Sequence, residues 1–508
     1  MAQRFTPAAA AAIVMALAGG AAQAVTADEV WDIWQRQYSG AGYSVAAAAR
    51  DRQGDTLVLR DVALSSRTDS AQFDMTVPEI RLREIGDGRV EVTFSPEARG
   101  QSTATPEDGT PVTMDMVWQQ RDSMAIVSGT PDNLGYDVTS PEVSVEMTET
   151  PPAPTPGADG APAQLSPDAS PRLRTKITAQ DIVGNHLLTG DAQQQQQSQV
   201  TVKSVQIDAS GADADSDNGF TLTGAVADLV MSGRNLLPRG AMSTDMDAAL
   251  SAGMQMDADM RYGASDFTVE TTSDEGPMTI RARAAGGSLD MALSPQAMRY
   301  AGTNTDTTLE MTTSKLPAPL SATLASTNFD LSGPLAKSDT PQPFTAKLGL
   351  TELRLSDTAW QILDQAGRLP HDPATVTLDL TGMARPLVDL FAQGPAAPAQ
   401  GLPVEVSQLD INTLHANAAG AELTGTGALS FDNSQGLPVP DGTVDLSLTG
   451  GVKLLESLSE MGIVQRDQIM LARMLLGLYA VPSGDDAYSS QIEFRPSGEI
   501  LANGQRIR

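Results

Sequence analysis

Apolar and polar residues alternate with a period of two in short runs through most of the chain, and Gly, Asp and Ser bound the runs. Val90, Val92 and Phe94 alternate with polar neighbours just after Gly86-Asp87-Gly88, and the pattern returns at Val200 and Val202 and at Phe220 and Leu222. It recurs at Val376, Leu378 and Leu380, at Val444, Leu446 and Leu448, and at Ile492 and Phe494. Period-two alternation turns one face of a strand to a core and the other to water. The opposite faces here are rich in Thr, Asp and Ser, which predicts antiparallel sheets with one solvated side. The expected fold is mainly β, an elongated or layered curved meander with a few short helices capping sheet ends.

A small tripeptide recurs at Leu188-Thr189-Gly190, Leu222-Thr223-Gly224, Leu331-Ser332-Gly333, Leu380-Thr381-Gly382, Leu423-Thr424-Gly425 and Leu448-Thr449-Gly450. An inward leucine, an outward hydroxyl and a glycine able to turn the chain read as strand ends. Their spacing is irregular, so hairpins of unequal length are expected rather than a solenoid of fixed period.

Helical spacing interrupts the alternation in three places. Thr26-x-x-Glu29 is a capping-box pattern, and Val30, Trp31, Trp34 and Tyr38 then share one face, as in a helix packed over a sheet end. A short helix is expected around Leu387, Leu390 and Phe391. The longest such pattern runs from Val452 to Ala480 with a break near Gly462. Leu454, Leu455, Leu458 and Met461 line its first half; Ile469, Met470, Met474, Leu475 and Leu478 line the second.

Proline- and alanine-rich stretches from Pro151 to Pro171 and from Gly394 to Pro403 divide the mature chain into segments 25–150, 172–393 and 404–508. The Gln193–Gln197 run reads as a polar loop. At the amino terminus Arg4, the apolar Ala8–Ala18 and Ala22-Gln23-Ala24 have the order of a secretory signal peptide, residues 1–24, cleaved after Ala24. The mature protein is therefore expected in the periplasm. No later stretch has the length of apolar residues that a membrane helix needs, so no transmembrane span is expected there. Aromatic residues make up 4% of the chain, too few for the interfacial girdles of an outer-membrane barrel.

The chain has no cysteine, which excludes disulfides, thiol chemistry and cysteine-ligated zinc. Its formal net charge of −30 repels phosphate backbones and excludes nucleic acid as a partner. No nucleophile elbow, phosphate loop or His-Glu-x-x-His motif occurs, and Gly425-Thr426-Gly427 lacks the third glycine of a dinucleotide fingerprint. His186, His371 and His415 lack metal-ligand spacing. In Asp213-Ala214-Asp215-Ser216-Asp217-Asn218-Gly219 the glycine sits one residue late for an EF-hand loop, and Gly224 replaces its glutamate. A solvated turn is expected there. No enzyme activity and no cofactor are expected.

The stretch Trp360–Gly382, with Leu369-Pro370-His371-Asp372-Pro373-Ala374 leading into an alternating strand, resembles the envelope family known as domain of unknown function 2125. So does the ending, where Gly425-Thr426-Gly427 and Asp441-Gly442 precede the Leu454–Leu478 helices and then Glu499-Ile500-Leu501-Ala502-Asn503-Gly504. The repeated strand-Gly pattern with its closing Asn-Gly is similar, more distantly, to AsmA-like periplasmic proteins, a resemblance that implies curved sheets and lipid handling. Neither resemblance carries over a functional residue.

Two functions fit. A lipid or other apolar ligand is bound in a groove of the inner sheet face, lined by Val376, Leu378, Leu380, Val444, Leu446 and Leu448. Leu455, Leu458, Met470 and Met474 of the helices would then form its lid. Alternatively the same residues fill a core, and the protein is a structural or assembly partner of other envelope proteins.

Overall fold

A computed structural model describes residues 25–40, 42–68, 70–105, 111–150, 173–190, 193–212, 218–238, 246–390, 403–434 and 437–507. The segment 1–24, the whole Pro151–Pro171 stretch, the Gly394–Pro403 stretch except Pro403, and Asp213–Asp217 lie outside them. Helix α1 (Ala27–Gly40) is followed by β1 (Ser44–Gln53), β2 (Thr56–Arg67), β3 (Ala71–Glu84), β4 (Val90–Phe94), β5 (Glu97–Ala104), β6 (Val112–Arg121), β7 (Met124–Thr130) and β8 (Asn133–Thr150). Then come β9 (Leu173–Thr189), β10 (Gln193–Ala212), β11 (Gly219–Pro238), α2 (Met246–Ser251), β12 (Gln255–Tyr262), β13 (Ser265–Thr272), β14 (Met278–Ala284) and β15 (Gly286–Leu293). They lead to β16 (Ala297–Thr313), β17 (Leu320–Pro334), β18 (Gln342–Leu355), α3 (Asp357–Leu363), β19 (Ala374–Pro386), β20 (Val404–Ala418), β21 (Ala421–Asp432) and β22 (Val439–Thr449). The chain closes with α4 (Gly451–Glu460), α5 (Arg466–Tyr479), β23 (Val481–Gly484), β24 (Ala487–Phe494), β25 (Ile500–Ala502) and β26 (Gln505–Arg506).

These strands form one antiparallel sheet of 26. It is the meander expected from the alternation, each strand pairing with the next once broken strands are counted as one, except that β22 pairs with β24. The sheet continues across both proline-rich stretches, because β8 pairs with β9 and β19 with β20. Four pairs of short strands, β4 with β5, β6 with β7, β12 with β13 and β14 with β15, are the two halves of one strand broken in its middle. β4 and β5, for example, pair with the two ends of β3.

Those breaks belong to a continuous line. Pairing skips Asp61 in β2, where Arg60 faces Glu79 and Val62 faces Val77. It skips Asp181 in β9, Lys203 in β10 and Asp228 in β11, and then Asp306 in β16. Each skipped residue lies opposite the next, so a crease crosses the sheet from β1 to β18. Along it Asp61, Asp122, Asp181, Asp228, Asp306 and Glu352 take left-handed backbone conformations with φ between 47° and 51°. Asp tolerates that region better than most side chains, and at Asp61, Asp181, Asp228 and Asp306 both partners skip one position, so the strands kink together without a shift of register. Pro78, Pro96 and Pro141 also fall on the line, where a residue without an N–H costs no ladder bond.

One core is packed. Glu29 accepts from Thr26 N at 2.9 Å while Thr26 Oγ1 accepts from Glu29 N, the reciprocal box expected at the start of α1. Val30, Trp31 and Ile33 of that helix are buried against Leu57, Leu59, Ile80, Leu82, Val90, Val92, Val127 and Leu134, so α1 fills the hollow of the first strands. Trp34 Nε1 donates to Tyr136 Oη at 3.3 Å, whereas Tyr38 is exposed.

Three expectations are corrected. Gln193–Gln197 is no loop but the start of β10, where alternate glutamines are half-buried and Gln196 and Gln197 pair with Leu188 and Leu187 of β9. Residues 387–390 form no helix; they are irregular chain tied by Leu387 N to Pro403 O and Leu390 N to Leu335 O. Of the six tripeptides, those at Leu222, Leu380 and Leu423 lie inside strands. Their glycines serve close approach: a Cβ on Gly224 would meet the Phe267 ring at 2.5 Å, on Gly382 the Phe344 ring at 2.6 Å, and on Gly425 the Leu446 side chain at 2.7 Å.

Candidate functional site

In a regular strand residues i and i+3 point to opposite faces. Across the crease they do not. Val226 and Leu229 of β11, Tyr262 and Ser265 of the β12–β13 strand, Asn304 and Thr307 of β16, Leu324 and Thr327 of β17, and Leu350 and Leu353 of β18 all line the same cavity, of about 760 Å³. The apolar alternation therefore slips by one residue at the crease, and both halves of each strand show their apolar side inward. A single layer of sheet encloses such a volume only if it is bent.

Cross-strand pairing carries the inner face beyond the cavity. One row runs Val200, Met231, Met260, Leu289, Gly302, Phe329, Leu348, and on through Leu378, Leu414, Gly425 and Leu446. The face is wet rather than packed: Leu348 is 49% exposed, Val376 45%, Leu309 42% and Leu331 41%. Aromatic rings do not stand up into it. Phe267, Phe329, Phe344 and Tyr262 each lie over a directly opposed glycine, Gly224, Gly302, Gly382 and Gly287 respectively. An aromatic laid flat on a glycine keeps the hollow open while covering backbone.

All six strand residues expected in a groove lie on this face. Val376 opposes Leu350 of the cavity wall, and its row continues through Ala416 and Leu423 to Leu448. Leu378 shares a row with Leu446, and Leu380 with Ile411, Gly427 and Val444. They extend the cavity; the residues that line it were not singled out in the sequence. The signal for them was present as apolar positions three apart, as in Val202 and Val205, with an acidic residue at the slip in neighbouring strands.

The helical candidates stand elsewhere. Leu455 and Leu458 are half-buried on α4, which Asp486 caps through Val452 N and Lys453 N at 3.1 and 3.0 Å. Met470 and Met474 on α5 are 73% and 60% exposed. None of the four lines the cavity.

Charge is segregated by face. No described Asp, Glu, Lys, Arg or His lines the cavity. The outer face carries cross-strand ion pairs, Arg281 and Arg283 with Asp266, Arg299 with Asp330, and Lys347 with Asp379, at 2.9–3.1 Å. The Arg281 guanidinium, with burial opposing it and Arg283 assisting, holds the Asp266 carboxyl below its usual range. The histidines are on separate elements. His186 lies against Tyr136, and burial lowers its pKa; His415 is 3.2 Å from Glu422. His371 stacks on Trp360 with ring centroids 4.2 Å apart. Asp364 ties that turn together, accepting from Arg368 N and Leu369 N at 3.0 and 2.7 Å, and these two bonds hold its carboxyl below the usual range.

Residues 299–496 match the family model described as "Uncharacterized protein conserved in bacteria (DUF2125)". That span runs from β16 to β24 and contains the last strands of the cavity, the Trp360–His371 turn and helices α4 and α5. No curated protein and no solved structure was found to match the chain.

Proposed function

We propose that this is a non-catalytic protein of the bacterial periplasm that binds a lipid or another elongated apolar ligand along the creased inner face of its sheet. The observation that supports this best is the pairing of i and i+3 positions on five strands around one apolar, uncharged cavity. Its volume of about 760 Å³ lies within the roughly 300–1,000 Å³ of small-molecule sites. Burying ten methylenes contributes about 8 kcal/mol before the costs of association. The wet row from Met231 to Leu446 would let a longer chain continue across further strands. The AsmA-like resemblance points the same way, and the amino-terminal pattern supports export.

The test is mass spectrometry of organic extracts from mature protein purified from the envelope fraction, beside a Leu350→Trp variant. Wild type should carry an apolar compound. The variant, whose indole would occupy the cavity, should keep the wild-type circular dichroism and melting temperature and lose the compound. An empty wild type that also fails to take up added lipid, or a filled variant, would overturn the reading.

A further inference from the structure

The cavity is not uniformly apolar. A polar row crosses its middle. Tyr262 faces Gly287, Gly287 faces Asn304, and Asn304 faces Thr327 on successive strands. The tyrosine ring reaches over Gly287, which has no side chain in the way, and its hydroxyl donates to Asn304 Oδ1 at 2.5 Å. That bond uses one acceptor site of the amide oxygen, and the amide N–H groups are the donors that Asn304 can offer a ligand. Across the crease stands Thr307, whose Oγ1 is buried and has no hydrogen-bond partner among the described residues. A buried hydroxyl left unpaired is destabilising, so a ligand atom that satisfies it gains a bond the protein alone does not make. On either side along the crease the wall becomes aliphatic again, Val226 and Leu229 one way, Leu324 and Leu350 the other.

We propose that Asn304 and Thr307 receive an uncharged hydrogen-bonding group of the ligand, an ester carbonyl or a hydroxyl as in an acylglycerol, with hydrocarbon leaving it along the crease. This rests on the groove reading above and names the class of ligand. A carboxylate or phosphate does not suit the spot, because no cation lines it and an ion buried without a counter-charge is strongly penalised.

The experiment displaces N-phenyl-1-naphthylamine from the full-length mature protein with monodecanoylglycerol, decanoate at about pH 8, where it is ionised, and 1-decene, three ligands with similar chains and different heads. Monodecanoylglycerol should displace the probe at about one-tenth or less of the concentration the other two need, a difference near 1.4 kcal/mol. In Thr307→Val and in Asn304→Leu, the probe should still bind, while monodecanoylglycerol and 1-decene become equal. If wild type ranks decanoate level with the ester, or if both variants retain the wild-type preference, the polar site is refuted and the groove stands. If the probe does not bind wild type, or Leu350→Trp leaves its binding unchanged, the groove reading fails and this inference with it. Two variants are used so that loss of folding in one leaves the other to decide.

Discussion

Gly302 of β16 tests whether glycines keep the hollow open. Its Cβ, if present, would stand 2.8 and 2.9 Å from Cε1 and Cζ of Phe329 and 3.1 Å from the backbone oxygen of Ser288. The ring would have to lift from the sheet, losing its contact with Tyr300, whose ring centroid is now 4.8 Å away. In an unobstructed strand Gly→Ala stabilises by roughly 0.5–1 kcal/mol through the unfolded chain. Overpacking of this kind costs about 1–3 kcal/mol, so Gly302→Ala should be destabilising by about 1–2 kcal/mol. Gly333 is the control: its Cβ would meet Phe344 Cβ at an ordinary 3.6 Å, and Gly333→Ala should be neutral or mildly stabilising. Urea unfolding followed by circular dichroism gives the comparison, and hydrogen exchange at the paired amides of β16 and β17 shows that the loss is local. Combining Gly302→Ala with Phe329→Leu should recover stability relative to the sum of the single changes, by at least about 0.5 kcal/mol. Additive single changes, or a stabilising Gly302→Ala, would refute the reasoning.

Two further outcomes are expected. Asp259 and Asp290 face each other directly on the outer side, and burial, then the hydrogen bond and charge of Asp259, raise the pKa of Asp290. A raised carboxyl favours folding below its unfolded pKa and loses that contribution as pH rises through the folded value. Asp290→Asn should therefore melt higher than wild type at neutral pH and level with it below about pH 4, and a lower melting temperature at neutral pH would contradict this. Met470→Asp with Met474→Asp should change stability by less than about 0.5 kcal/mol and leave probe displacement unchanged, because both side chains face solvent and neither lines the cavity. Weakened probe binding would return α5 to the role of a lid.

Strand type and inward residues were legible wherever alternation is unbroken. In β19 and β22 it is, and cross-strand pairing sets Val376, Leu378, Leu380, Val444, Leu446 and Leu448 on one face. Helix α1 was legible from its capping box and its tryptophans. The cavity was not legible, because each of its strands changes phase midway. Val200 and Val202 read as one short strand, and Val205 and Ile207 then appear out of step, although β10 runs through all four. The polyglutamine start of that strand was missed for another reason: its pairing with Leu188 and Leu187, rather than its own propensity, holds it extended.

The slip in phase could not be confined to one strand. If β11 changed phase at Asp228 while β10 kept strict alternation, then on one side of the crease the apolar residues of β11 would face water beside inward-facing neighbours, since a shift of one residue exchanges the faces. The partners must slip at the same level, and they do, β9 at Asp181, β10 at Lys203 and β16 at Asp306. This is why kinks that would each be a local irregularity line up into one crease, and why left-handed acidic residues recur in several of its strands with Pro78, Pro96 and Pro141 between them. The hollow follows from the crease. Over the first strands α1 fills it with Trp31 and its neighbours. Between β10 and β18 the short α2 buries Ala249 and Leu250 against Leu237 and Leu293 at the strand ends, but no described helix residue lines the crease, and the hollow there remains as the cavity. It ends at β18 because the crease ends there, at Glu352. The same sheet thus supplies a filled core, where α1 lies over the first strands, and an open site, where no described helix residue reaches the crease.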